Sequence, residues 1–104
     1  MAEDISQDEW QELINKDDKA IILDVRTEEE VADGYIPNMV HLDIRKGQGF
    51  LDEVAKLDKD KNYYIYCRSG ARSGQACQLM NQMGFETTYN LIGGFMNWDG
   101  ETVE

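Results

Sequence analysis

The chain has 104 residues, enough for one buried core and too few for two, so residues 1–104 are read as one domain. Its formal net charge of −11 argues against a nucleic-acid partner, whose phosphates most of the surface would repel. No run approaches the roughly 18 apolar residues of a membrane span. The two cysteines form neither a disulfide framework nor a Cys-x-x-Cys metal pair, so a soluble, cytoplasmic protein without metal or cofactor is expected.

Ser6-Gln7-Asp8-Glu9 has capping-box spacing, and Ile5 and Trp10 hold the two positions of a hydrophobic staple, so the first helix starts at Ser6. Its buried stripe is Trp10, Leu13 and Ile14, and it ends in Asn15-Lys16-Asp17-Asp18. Ala20-Ile21-Ile22-Leu23 is a short apolar run, as expected of a strand covered on both faces of a parallel sheet. Thr27-Glu28-Glu29-Glu30 opens a second, short helix that stops at Gly34. The turn Ile36-Pro37-Asn38 leads into a strand at Met39-Val40-His41-Leu42.

Phe50, Leu51, Val54 and Leu57 then fall on one helical face, and Asp58-Lys59-Asp60-Lys61 forms a loop before the strand Tyr63-Tyr64-Ile65-Tyr66. Ala76, Leu79, Met80 and Met83 repeat at helical spacing up to Gly84, the expected C-terminal cap. Thr87-Thr88-Tyr89 is the last strand, and a short helix over 93–98 closes the chain. Strands alternating with helices predict an α/β domain with a mainly parallel sheet. Ligands of such sheets bind beyond the carboxyl ends of the strands, where Asp24-Val25-Arg26 and the segment from Cys67 onward are expected to face one crevice.

That segment, Cys67-Arg68-Ser69-Gly70-Ala71-Arg72-Ser73, places a cysteine where a strand turns into a helix. Backbone N–H groups converging at a helix start make an anion site. With Arg68 and Arg72 beside it, a thiolate at Cys67 is expected to have a pKa below the roughly 8.5 of a free cysteine. The charge pattern agrees. Residues 1–33 hold twelve acidic and three basic side chains, whereas Asn62 to Phe85 contains no carboxylate and two arginines. Anion-repelling charge is kept away from the proposed anion site.

These residues resemble a single-domain rhodanese, or rhodanese-like sulfurtransferase (a rhodanese homology domain), over nearly the whole chain. The resemblance is carried by Leu23-Asp24-Val25-Arg26 with Glu30 and Gly34-Tyr35-Ile36-Pro37, by Tyr66 through Ser73, and by Gly84-Phe85 and Leu91-Ile92-Gly93-Gly94-Phe95 with Trp98. It implies a rhodanese-like three-layer α/β fold with about five strands, flanked by helices. It also implies a thiosulfate sulfurtransferase in which Cys67 takes the outer sulfur of thiosulfate or a similar donor. The resulting persulfide passes its sulfur to cyanide, a thiol or a protein acceptor. The N–H groups from Arg68 to Ser73 (Arg68, Ser69, Gly70, Ala71, Arg72, Ser73) would cradle the persulfide, and the side chains of Arg68 and Arg72 would hold the donor's oxyanion end. Tyr35 stands where the family often has His, and Asn38-Met39 where it has Gly-Ala. Both departures fall at the turn into a strand.

Other residues have plainer readings. Asp24 and Arg26 either orient the loop or form a buried ion pair with Glu30. His41, the only histidine, is read as a hydrogen-bonded strand residue, and Cys77 as a buried apolar cysteine. Two rival functions remain open: a non-catalytic rhodanese-like binding module, and a phosphatase or arsenate reductase of related loop architecture. Cys67 to Arg72 is a Cys-x4-Arg span, one residue shorter than a phosphatase cradle. A shorter loop suits sulfur better than a phosphoryl group.

Overall fold

Successive residues of a strand face opposite sides of a sheet, and Tyr63 to Cys67 show what that does here. Tyr63, Ile65 and Cys67 enter one buried apolar cluster, while Tyr64 and Tyr66 enter a second. Their strand is therefore central and covered on both faces. The computed structural model describes residues 2–104, and nothing is described of the Ala2 side chain. It gives β1 (Ala2–Ile5), α1 (Gln7–Lys16), β2 (Ala20–Asp24), α2 (Glu28–Ala32) and β3 (Met39–His41). There follow α3 (Gln48–Ala55), β4 (Asn62–Tyr66), α4 (Ala71–Gln82) and β5 (Thr88–Leu91), with 3-10 turns at Ile44–Lys46 and Phe95–Asn97.

The sheet has five strands in the order β1-β5-β4-β2-β3, and every pair is parallel. Parallel strands need crossover connections, which the helices supply and which place them on the sheet faces. Phe50 and Val54 of α3 and Ala76, Cys77 and Met80 of α4 pack on one face with Leu23, Tyr63 and Ile65. Trp10 of α1 packs on the other with Tyr64, Tyr66 and Leu91. Its indole meets the rings of Tyr64 and Tyr66 edge-on at 5.6 and 6.3 Å. The expected three-layer α/β arrangement is present.

Local chemistry fixes the element ends. Ser6 accepts the Glu9 N–H at the start of α1, and the two staple residues, Ile5 and Trp10, are buried in the same cluster. At α2 the capping box is complete: the Thr27 hydroxyl accepts the Glu30 N–H at 3.3 Å and the Glu30 carboxylate accepts the Thr27 N–H at 3.0 Å. Asn38, at the turn into β3, has φ 67°, the left-handed conformation that asparagine tolerates better than most side chains.

The short helix expected over 93–98 is a 3-10 turn at Phe95–Asn97, and the strand entered at Met39 ends at His41; two further differences bear on the site. The first element is not the helix at Ser6 but β1, which pairs with β5 at the sheet edge. The last strand runs on to Leu91, so Asn90 lies within it. Among the described residues no helix is long and apolar enough to cross a membrane.

Candidate active site

β4 ends at Tyr66 and α4 begins at Ala71, so the chain turns between them in the segment Cys67 to Gly70. The Gly70 N–H donates to the Cys67 sulfur at 3.1 Å and the Ser73 hydroxyl at 3.3 Å. Burial pushes the Cys67 thiol up. The Ser73 hydroxyl and the N–H groups of Ser73, Gly70 and Ser69 outweigh it, holding the pKa below its ordinary value. The sulfur also sits at the positive end of α4, a helix of 12 residues.

The outer side of the loop is clamped by the C-terminal turn. Phe95 N–H donates to the Cys67 carbonyl at 2.8 Å and Met96 N–H to the Arg68 carbonyl at 3.0 Å. That approach needs a glycine: a Cβ on Gly94 would lie 2.5 Å from the Arg68 carbonyl oxygen, well inside contact distance.

Beside Phe95 lies a buried ion pair. Arg26 donates from Nε to both Asp24 oxygens at 3.0 and 3.1 Å, and from Nη2 to Asp24 at 2.7 Å and to the Gly34 carbonyl at 2.7 Å. Its guanidinium lies 4.3 Å from the centre of the Phe95 ring and 5.4 Å from that of Tyr66. Burial disfavours the Arg26 charge, but Asp24 more than restores it. The Tyr66 hydroxyl in turn accepts the Ile36 N–H at 3.0 Å.

Residues 6–101 match the family described as a Rhodanese-like domain. The chain belongs to that family. It is 44% identical over 99 residues to "Putative sulfurtransferase YtwF" of Bacillus subtilis (strain 168), covering 95% of this chain and 92% of that protein. It is 37% identical to "Thiosulfate sulfurtransferase GlpE" of Coxiella burnetii, covering 94% of this chain and 88% of that one. A rhodanese-like domain protein from Staphylococcus aureus, known by crystal structure, superposes with a TM-score of 0.82 at 31% identity, covering 95% of this chain and 93% of that one.

In this rhodanese-like domain the expected site residues divide into three sets. Cys67, Gly70 and Ser73 converge on the sulfur, with Ser69 contributing its N–H. Arg68, Ser69 and Ala71 are exposed on the rim. Arg68 lines a cavity of about 180 Å³ with Arg26, Glu30, Asp33, Phe95 and Met96. Arg72 grips Glu30, Nη1 and Nη2 reaching its two carboxylate oxygens at 2.7 and 2.8 Å, and its charge acts on Cys67.

Two readings need correction. Glu30 does not pair with Arg26, because Asp24, two residues back on the same strand end, already occupies that guanidinium; Arg26 reaches only the Glu30 carbonyl, at 3.4 Å. Of the Asp24–Arg26 pair, Arg26 lines the cavity that Arg68 also lines, whereas Asp24 does not reach it. Asp24 is 0% and Arg26 3% exposed, so the pair is buried.

His41 bonds the Arg26 carbonyl through Nε2 at 2.7 Å. Cys77 is buried, and burial pushes its thiol up to about 12. Sequence reading passed over Asn90, whose carboxamide bonds Ser73 and Gly70. The signal available was an asparagine inside an otherwise β-favouring run, where its propensity is poor.

Proposed function

We propose that the domain moves a sulfane sulfur from thiosulfate, or an anionic donor like it, to cyanide or a thiol through a persulfide on Cys67. The observation that carries this reading is the Cys67 sulfur at the start of α4, with the Gly70 N–H and the Ser73 hydroxyl aimed at it. The Cys67 thiolate attacks the outer sulfur of thiosulfate and a sulfur–sulfur bond forms. The bond to the sulfonate sulfur breaks and sulfite leaves with its electron pair. The acceptor then attacks the terminal sulfur of the persulfide, becoming thiocyanate or a new persulfide, and the thiolate is regenerated. No general base is required when the resting sulfur is already ionised.

The two arginines take different parts. Arg72 has its donors on Glu30 and contributes charge close to the sulfur, whereas among the described residues no hydrogen bond or ion pair holds the exposed Arg68 guanidinium. Arg68 is therefore the side chain that meets the sulfonate end of the donor. Cys67 itself has no exposed surface, so attack requires the loop to open around it.

Intact-mass measurement after exposure to thiosulfate tests the reading. The expected product is the protein plus one sulfur atom, lost again on addition of cyanide, and absent in Cys67→Ala. Sulfur gained equally by the alanine variant would sink the mechanism.

A further inference from the structure

Ser73 has one hydroxyl proton and two acceptors for it, the Cys67 sulfur at 3.3 Å and the Asn90 Oδ1 at 2.5 Å. Which acceptor receives the proton depends on the Asn90 amide, and its orientation is over-determined. Asn90 Nδ2 lies between two acceptors, the Asp4 carboxylate at 2.9 Å and the Gly70 carbonyl at 3.1 Å. Turning the amide over would set its oxygen against both, so only one orientation satisfies every partner. That orientation aims Oδ1 at Ser73.

A second observation is independent of these bonds. Gly74 lies inside α4, where a glycine is unfavourable relative to alanine. A Cβ there would stand 3.3 Å from Asn90 Nδ2, tighter than ordinary side-chain contact. The helix carries a glycine where the Asn90 amide presses against it.

We propose that Asn90, held in one orientation by Asp4 and the Gly70 carbonyl, is a positioning residue that competes with the Cys67 sulfur for the Ser73 hydroxyl proton. With Cys67 as a thiol, Ser73 donates to Asn90. When Cys67 ionises, the hydroxyl swings to the thiolate, and Asn90 Oδ1 loses its buried donor. Asn90 thus opposes ionisation, and β1, through Asp4, takes part in setting how readily Cys67 becomes a nucleophile.

The other charged groups around the sulfur are Arg68 on the loop and Arg72 with Glu30 from α4 and α2. Arg26 with Asp24 lies at the end of β2, and Asp43 acts on Arg72. All of them stay in place in the variants below. The inference rests on Cys67 being the reacting group, but its test needs no sulfur transfer.

The test is the rate of Cys67 alkylation by iodoacetamide as a function of pH, with Cys77→Ala as the background so that one thiol reports. Asn90→Leu removes the competitor, and its midpoint is expected to fall by about half to one pH unit, the scale of one hydrogen bond. Asn90→Asp keeps an acceptor for Ser73 and adds negative charge, so its midpoint is expected to rise. A residue that merely held the loop in shape would move both variants the same way. In a Ser73→Ala background Asn90→Leu is expected to leave the midpoint unchanged.

A midpoint that stays put or rises in Asn90→Leu, or a fall that persists without the Ser73 hydroxyl, overturns the proposal. In the chain with native Asn90, where no folding question arises, the Asn90 side-chain amide resonances are expected to titrate with the alkylation midpoint. Resonances flat through that pH would equally overturn it. Absence of persulfide with the titration intact would count against sulfur transfer and leave Asn90 in its role.

Discussion

At the scale of single residues, the proposed division of labour between Arg68 and Arg72 leads to separable effects. An exposed cation that meets the sulfonate and little else contributes to binding of the donor in ground and transition state alike. Arg68→Ala is accordingly expected to raise the apparent KM for thiosulfate about tenfold, the worth of one charge-assisted hydrogen bond, with kcat little changed. Arg72→Ala removes the partner of Glu30 and leaves a carboxylate near the sulfur, so its main effect is expected on kcat. Steady-state kinetics of the two variants check this, and the opposite pattern would reverse the assignment. The placement of Cys67 was legible in the sequence because a strand-to-helix turn is a local pattern. The Arg72–Glu30 pair was not, because 42 residues separate its members and no local spacing encodes it.

At the scale of elements, the same pair ties α2 to α4 across the active-site loop. Hydrogen bonds from Arg72, working against partial burial, lower the Glu30 pKa from its ordinary 4.5 to about 2. Between those values the unfolded chain binds a proton that the folded chain does not, so stability rises with pH. The contribution is complete above about pH 4.5 and is lost as pH falls toward 2. Glu30→Gln is expected to lower stability at pH 7 and to flatten this limb of the profile, as read by urea unfolding at a series of pH values. An unaltered slope between pH 4.5 and 2 would show that the pair does not couple the helices. Capping boxes and apolar runs announced most elements, but β1 was hidden. Ala2-Glu3-Asp4-Ile5 has too few apolar residues to read as a strand, and acidic side chains are what an edge strand carries to discourage pairing with other chains.

At the scale of the whole molecule, two opposing fields act on an anionic donor. The net charge of −11 repels a dianion at long range, whereas the Arg68 rim and the carboxylate-free stretch from Asn62 to Phe85 attract it close in. The molecule measures 31 × 31 × 20 Å. The screening length is about 30 Å at 0.01 M salt and about 10 Å at 0.1 M. In dilute salt the donor therefore feels every carboxylate on the surface; at 0.1 M it feels only those near the loop. Adding salt first removes the repulsion and afterwards weakens the attraction of Arg68. The kcat/KM for thiosulfate is expected to rise between 0.01 and about 0.1 M salt and to fall beyond it, while a neutral donor shows neither limb. Arg68→Ala should keep the rising limb and lose the falling one, because the distant carboxylates remain and the local cation is gone. A steady decline from the lowest salt would mean that the loop's own field already outweighs the net charge at a full molecular diameter.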